Sequence, residues 1–255
     1  MGSSSSASPA AFVTGAANGI GEAVVARFLR GGYRVAMVDL DADRLHAARK
    51  KADPTGERVI EVVADVRDEQ SVRAAVAATV EEFGRLDAAH NNAGVTSSGP
   101  NTHELDLKAW QHTLDVDLTG VWLCMKYQLP VLLQQGTGAI INTASIAGHI
   151  GYRNAAAYAA AKHGVVGLTK TAAIEYAPHG IRVNAVSPGP VQSDMLDASF
   201  ARRGAAVRDW YYASSPTGRF ASLDDVAHAV HWLASEEASF ITGHCLSVDG
   251  GWIAQ

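Results

Sequence analysis

Cysteine, long apolar runs and excess positive charge are all scarce in this sequence. The only two cysteines, Cys124 and Cys245, are far apart and have no cluster of metal ligands beside them. We therefore expect two buried thiols in a reducing compartment and no metal site. No apolar run reaches the roughly 18 residues of a membrane span. Lys and Arg total 21 against 26 Asp and Glu, a net charge of −5, which disfavours nucleic acid and anionic membranes as partners.

The first nine residues are serine-rich and lack the basic and apolar regions of a signal peptide. We expect residues 1–9 to form a disordered tail and the protein to be cytoplasmic.

Short β-branched runs alternate with longer helical patterns along the rest of the chain. The predicted strands cover residues 10–14, 34–38, 58–64, 86–90, 139–143, 181–186 and 245–248. The predicted helices cover residues 19–29, 41–51, 72–83, 105–134, 156–176 and 224–234. This alternation predicts an α/β fold, a doubly wound parallel sheet of about seven strands with helices on both faces. A looser segment at about 190–221 precedes the last helix.

The turn after the first predicted strand is rich in glycine. It reads Thr14-Gly15-Ala16-Ala17-Asn18-Gly19-Ile20-Gly21, between a strand and a helix. Backbone amides and the positive helix end can hold a pyrophosphate there, because glycine lets the backbone come close. A three-glycine turn alone is equally consistent with a tight connection.

Asp39 ends the second predicted strand, 18 positions after Gly21. An acid at about this distance binds the adenosine ribose hydroxyls of a dinucleotide. A carboxylate there repels a 2′-phosphate, and the glycine turn has no Arg or Lys, so the sequence favours NAD over NADP. The alternative for Asp39 is a helix N-cap or a surface acid.

Tyr158 and Lys162 are four residues apart in a predicted helix, so they lie one turn apart on one face. A fixed ammonium beside a phenol favours the phenolate and lowers the pKa of tyrosine from about 10. Lysine is then an activator and tyrosine the acid or base. A half-buried tyrosine near a surface lysine is the simpler alternative for the pair taken alone.

Four ordered motifs resemble the short-chain dehydrogenase/reductase family, in its NAD-preferring branch of about 250 residues. They are the turn TGAANGIG, the run Asn91-Asn92-Ala93-Gly94, Ser145 thirteen residues before Tyr158, and the Tyr158/Lys162 pair. The runs IRVNAVSPG at 181–189 and VDGG at 248–251 extend the resemblance. It implies a Rossmann-type fold, one dinucleotide-binding and catalytic domain over 10–255, and a CH–OH oxidoreductase with 190–221 as its substrate-loop region.

The resemblance also implies roles for individual residues. Tyr158 exchanges a proton with the substrate oxygen, Lys162 holds the nicotinamide ribose and the phenolate, and Ser145 hydrogen-bonds the same oxygen. The implied cofactor residues are Gly15, Asn18, Gly19, Ile20, Gly21, Asp39, Asp65, Val66, Asn92, Ala93, Gly94, Tyr158, Lys162, Pro188, Gly189, Val191 and Ser193.

Asp117 departs from the family pattern, which has asparagine before Leu118-Thr119-Gly120 to help hold a water that connects the lysine with solvent. A carboxylate there favours the ammonium of Lys162 but partly cancels its pull on Tyr158. We expect an active enzyme whose pH optimum is moved upward, rather than a catalytically weak NAD-binding sensor.

The substrate is less clearly indicated. Candidate binding residues are Thr96, His149, Tyr152, Met195 and Trp210, with other aromatic residues nearby. This apolar and aromatic set suits an uncharged cyclic or medium-sized secondary alcohol or ketone. A 3-hydroxybutyrate dehydrogenase activity is an alternative, but the glutamine and histidine of that branch are missing at 95–97 and 146–147. A 3-oxoacyl reductase is a further alternative, which Asp39 disfavours.

The predicted helix at 156–176 is small or apolar nearly all round, so the sheet cannot cover all of it. We expect a partner subunit to cover the rest, and the resemblance to the family implies a homotetramer built as a dimer of dimers.

Overall fold

The computed structural model describes residues 8–95 and 99–255, except for the side chains of Met195, Arg202 and Arg203. Its seven strands form one parallel sheet in the order β3-β2-β1-β4-β5-β6-β7. The strands are β1 (Ala10–Thr14), β2 (Arg34–Asp39), β3 (Val59–Val63), β4 (Ala88–Asn91), β5 (Gly138–Thr143), β6 (Ile181–Pro188) and β7 (Cys245–Val248). The helices are α1 (Gly19–Arg30), α2 (Ala42–Ala52), α3 (Glu69–Phe83), α4 (Leu107–Leu114), α5 (Gly120–Gln135), α6 (Ala156–Tyr176), α7 (Asp194–Arg203), α8 (Ala205–Ala213) and α9 (Leu223–Ala234). The predicted doubly wound α/β fold is confirmed.

Both faces of the five inner strands are buried, which explains why these strands are largely apolar instead of alternating. Ala10 and Phe12 of β1 pack into one core with α3, α5 and α6. Ala11 and Val13 of the same strand pack into the other core with α1, α2 and α9. Within the described ranges, none of the helices combines the length and apolarity that a membrane crossing needs.

The helix predicted over 105–134 is interrupted. A π turn at Asp115–Thr119 separates α4 from α5. The extra residue rotates the following turns by about 100°, but α5 is apolar on most of its surface, so this change of phase left no clear mark in the sequence. Such turns occur often at functional sites, and here the turn carries Asp117 into the interior.

Two further regions differ from expectation. The segment at 190–221 contains α7 and α8, which Gly204 at φ 91° separates. Each of these helices is short, so its apolar pattern was too weak to predict a helix. Cys124 is buried as expected, whereas Cys245 is only half-buried because β7 is an edge strand. Of the predicted tail, residues 1–7 lie outside the described part of the chain.

The order of the strands places the site. β2 and β3 are added on one side of β1, and β4 begins a second series of strands on its other side. Because all strands are parallel, the loops after β1, β4, β5 and β6 meet at the carboxyl end of the sheet. Ligands of doubly wound sheets bind at such a switch point. The glycine turn, the NNAG run and Ser145 follow β1, β4 and β5 at this edge.

Candidate active site

Thr14 closes β1 and ties the glycine turn to the loop after β4. Its hydroxyl accepts hydrogen bonds from the backbone N–H groups of Asn92 (2.9 Å) and Ala93 (3.0 Å). The Asn92 amide donates in return to the carbonyls of Thr14 (3.2 Å) and Gly15 (3.4 Å). Sequence reasoning gave Thr14 no role, because its partners come from a distant segment.

The glycine turn has room for nothing but glycine at two positions. Gly15 has φ +63°, a region that side chains rarely adopt, and a Cβ there would lie 3.0 Å from the Cα of Ala93. A Cβ on Gly21 would lie 2.0 Å from the carbonyl oxygen of Gly15. Asn18, the N-cap of α1, makes no side-chain cap, so the helix end offers uncapped amides beside Gly19 and Ile20. This turn fits the diphosphate of a dinucleotide.

Asp39 lies beside this turn. Its carboxylate accepts from the N–H of Ala17 (3.0 Å) and from the N–H of Asp41 (3.1 Å). The N-cap of α2 is Asp41, which accepts from the N–H of Arg44 (3.1 Å), so Asp39 does not have that alternative role. A carboxylate has about four acceptor positions, which leaves Asp39 capacity for ribose hydroxyls.

Asp65, expected near the adenine, is held by an arginine that sequence reasoning did not name. Arg67 donates from Nε (3.0 Å) and from a terminal nitrogen (2.6 Å) to its carboxylate. These hydrogen bonds hold the pKa of Asp65 below its usual value. Val66 is buried against Gly120, where a Cβ would lie 2.8 Å from its side chain.

Ser145 is the second residue after β5, and the loop that it belongs to packs directly on α6. A Cβ on Gly148 would lie 2.8 Å from the backbone oxygen of Lys162. Tyr158 and Lys162 occupy one face of α6, with the lysine Nζ 5.6 Å from the centre of the tyrosine ring. The structure therefore brings Ser145, Tyr158 and Lys162, three of the four predicted catalytic residues, to the carboxyl end of β5; the fourth is Asp117.

Lys162 is almost completely buried. Its ammonium donates to the backbone carbonyl of Thr143 at 2.9 Å, and its Nζ lies 3.7 Å from Oδ1 of Asp117. The lysine is thus fixed between a strand end and a carboxyl group, unlike a surface lysine.

Asp117 is fully buried at the π turn. Its Oδ1 accepts from the N–H of Val95 at 2.9 Å, while its Oδ2 has no hydrogen-bond partner among the described residues. Burial raises the pKa of Asp117, and the nearby Lys162 ammonium opposes this shift. Gly94 is needed here because a Cβ would lie 2.6 Å from Oδ1.

The loop after β6 is held by backbone contacts with β7 and with Ala221. Pro188 ends the strand, and the N–H of Gly189 donates to the carbonyl of Val248 at 3.1 Å. Val191 forms a bridge with Ala221. The Ser193 hydroxyl donates to the carbonyl of Val191 (3.2 Å) and caps α7.

The predicted substrate residues fall into separate groups. Tyr152 packs in an aromatic cluster and its hydroxyl bonds that of Tyr211; Trp210 contacts Tyr211 and Trp252 edge-on. His149 instead shares a 2.8 Å hydrogen bond with the Ser187 hydroxyl on β6.

Two of the predicted substrate-binding residues lie wholly or partly outside the described part of the structure. Thr96 lies outside the described residues, and so does the side chain of Met195. Trp252 was missed, because an isolated residue near the end of the sequence gave no pattern.

Comparison with known proteins identifies the family. The family model described as enoyl-(acyl carrier protein) reductase matches residues 15–253. A cis-4-hydroxycyclohexanecarboxylate dehydrogenase from Sinomonas cyclohexanicum is 43% identical over 96% of this chain and 96% of its own. A 2,5-dichloro-2,5-cyclohexadiene-1,4-diol dehydrogenase from Sphingobium indicum is 40% identical over 95% and 96%. The chain belongs to the short-chain dehydrogenase/reductase family. The expectation of an oxidoreductase acting on CH–OH groups is confirmed.

A solved structure of this family, actinorhodin polyketide ketoreductase with NADPH, superposes with a TM-score of 0.92. It is 36% identical and covers 96% of this chain and 97% of its own. The short-chain dehydrogenase/reductase family uses a nicotinamide cofactor, and the glycine turn fits one.

We predict that Asp117→Asn moves the pH–rate profile of alcohol oxidation to lower pH, by about half a unit to one unit. An ionised Asp117 opposes the pull of Lys162 on the Tyr158 phenol, and asparagine removes that opposition. The measurement is turnover against pH for wild type and variant. Superimposable profiles would contradict the prediction.

The same variant has a readout that needs no turnover. Because burial raises the pKa of Asp117 above 3.8, the folded state binds its proton more tightly than the unfolded state does. Wild type therefore loses stability relative to Asp117→Asn as pH rises from 3.8 through the raised pKa. Asp115→Asn is the control, because it removes the same charge from the same π turn, where the partly exposed Asp115 accepts a hydrogen bond from Gln111. It should show a much smaller difference.

Proposed function

We propose that the chain interconverts an uncharged secondary alcohol, cyclic or medium-sized, and its ketone, with NAD as the cofactor. The observation that carries this proposal is the buried ammonium of Lys162, fixed on the carbonyl of Thr143 beneath the ring of Tyr158. A lysine fixed at this position can favour the phenolate of Tyr158 through its positive charge.

The nicotinamide cofactor supplies the hydride acceptor for oxidation and the hydride donor for reduction. In oxidation, Tyr158 takes the hydroxyl proton of the substrate while the carbinol C–H bond breaks; in reduction it returns that proton to the oxygen. Lys162 stabilises the phenolate through its positive charge. Ser145, on the adjoining loop, holds the substrate oxygen while it carries negative charge.

The same proposal assigns the cofactor contacts. The amides of the glycine turn hold the diphosphate, and Asp39 holds the adenosine ribose. Val66 and Asp65 border the adenine, with Asn92 and Gly94 supporting that side. The loop from Pro188 to Ser193 borders the carboxamide end.

Asp39 supports NAD even though a solved relative carries NADPH. The carboxylate already accepts two backbone N–H groups, which fix it beside the turn. A 2′-phosphate would meet this negative charge at close range.

The aromatic cluster beside the Ser145 loop supports a ring-shaped, uncharged substrate. Its buried members are Ile146, Phe200, Tyr211, Phe220 and Trp252. Flat apolar walls suit an uncharged carbocycle. The two relatives above are both named for six-membered ring substrates, a neutral cyclohexadiene diol and a hydroxycyclohexanecarboxylate, so they support the ring and not the absence of charge.

We also propose a cytoplasmic homotetramer. The free thiols suit a reducing compartment. Large apolar side chains on the long helices face outward, namely Trp122 and Leu133 on α5 and Ile174 on α6, and these suit burial against other subunits. A stable monomer in dilute solution, measured by light scattering, would contradict the assembly.

We predict that Tyr158→Phe lowers turnover by about a thousandfold and leaves NADH binding unchanged, because only the proton-transfer hydroxyl is lost. The assay follows NADH absorbance with NAD⁺ and a panel of secondary alcohols. Cyclohexanol and 4-hydroxycyclohexanecarboxylate form a matched neutral and charged pair, and we expect the neutral ring to be preferred. NADH binding by wild type without turnover of any alcohol would instead favour a nucleotide sensor.

We predict that Asp39→Asn narrows the preference for NAD⁺ over NADP⁺ in kcat/KM by about tenfold or more, since the charge is lost and the shape kept. Asp41→Ser is the matched control, because it removes a nearby charge and retains an N-cap for α2. An unchanged preference in Asp39→Asn would rule out the assigned role.

A further inference from the structure

His90 is a buried histidine that the proposed reaction does not use. It lies in β4 between Val13 of β1 and Ile141 of β5, and its side chain has no exposed surface. Burial alone lowers the pKa of His90 to about 3, so the imidazole is neutral. A polar ring in the middle of an apolar sheet costs free energy unless it is hydrogen-bonded, which makes its contacts informative.

Among the described residues the imidazole makes one hydrogen bond, and its partner is the residue that holds Lys162. Nε2 lies 2.9 Å from the hydroxyl of Thr143, and Nδ1 has no partner among the described residues. Thr143 is the residue whose backbone carbonyl accepts the ammonium of Lys162.

The hydroxyl of Thr143 has a second partner on the cofactor side. It donates to Oδ1 of Asn92 at 3.3 Å. The amide nitrogen of Asn92 in turn donates to the carbonyls of Thr14 and Gly15 at the glycine turn. Thr143 therefore connects the lysine through its carbonyl and the glycine turn through its hydroxyl.

The donors along this chain can be assigned. A hydroxyl has one proton, and Oδ1 of Asn92 can only accept, so the Thr143 proton points to Asn92. Nε2 of His90 must then be the donor to Thr143. The tautomer with the proton on Nε2 also avoids a buried N–H without an acceptor at Nδ1.

We propose that His90 is a positioning residue that, through the hydroxyl of Thr143, fixes both Lys162 and the glycine turn. His90 orients the Thr143 hydroxyl, and this hydroxyl fixes Asn92. The backbone carbonyl of Thr143 holds the Lys162 ammonium. Loss of the Nε2 donor then disturbs cofactor binding and proton transfer together. The part that concerns turnover rests on the proposed function, whereas the part that concerns cofactor binding does not.

The test compares His90→Gln with His90→Leu. A glutamine amide places an N–H near the position of Nε2, whereas leucine fills the space without a donor. We expect His90→Leu to weaken NADH binding about five- to tenfold, as the loss of one buried hydrogen bond implies, and to shift the pH–rate profile of oxidation. His90→Gln should recover most of both losses.

Thr143 supplies a second route if His90→Leu does not fold. Thr143→Val removes the hydroxyl but keeps the carbonyl, and should reproduce the effects of His90→Leu; Thr143→Ser should be close to wild type. In the double variant the losses should not add, because both substitutions remove one hydrogen bond. Thr79→Val is the control, since that buried hydroxyl donates to the Ala75 carbonyl of its own helix and its loss should affect stability alone.

The outcomes separate the proposals. NADH affinity and pH profile unchanged in folded His90→Leu and Thr143→Val would overturn the positioning role and leave His90 as a core residue. Weakened NADH binding without turnover of any alcohol by wild type would support the positioning role and refute the proposed reaction.

Discussion

The hydrogen bond from the Lys162 ammonium to the Thr143 carbonyl, at 2.9 Å, is the contact on which the site depends. It joins α6 to the carboxyl end of β5 and fixes a positive charge inside the protein. An ammonium removed from water needs strong compensation, and here one carbonyl and one carboxyl group 3.7 Å away supply it. Such a pair adds little stability, because desolvation offsets the attraction. Its value lies in holding the charge at one position beside Tyr158.

The buried polar groups around this contact divide between the two faces of the sheet. On one face, His90 bonds the Thr143 hydroxyl, and this hydroxyl donates to Asn92 beside the glycine turn. On the other, Asn91 bonds Gln128 of α5 and Asn142 of β5. These bonds cross between elements, so β4 and β5 are fixed to one another and to the helix that follows the π turn. These hydrogen bonds therefore hold the carboxyl ends of β4 and β5 in position more firmly than apolar packing alone would.

Sequence reasoning predicted those parts of the site that depend on local spacing. The placement of Tyr158 and Lys162 on one face of a helix was predictable because four residues make about one helical turn, and the placement of Asp39 beside the glycine turn because it ends the next strand. The strands were predictable because both of their faces are buried. The partners of Thr14, His90 and Asp117 come from segments distant in sequence, and no local pattern encodes them. The π turn was missed because α5 is too uniformly apolar to show a change of phase, and the helices at 194–213 were missed because their amphipathic runs are short.

Gly94 shows how the backbone makes a buried carboxyl group tolerable at the π turn. The N–H of Val95 reaches Oδ1 of Asp117 only because the preceding residue has no Cβ, which would lie 2.6 Å from that oxygen. The loop after β4 therefore closes over the carboxyl group and excludes water from it. The burial that this closure brings raises the pKa of Asp117, whereas the nearby Lys162 ammonium and the hydrogen bond from Val95 oppose that shift. The NNAG run thus sets the electrostatic environment of Lys162 through its packing, in addition to any contact with the cofactor.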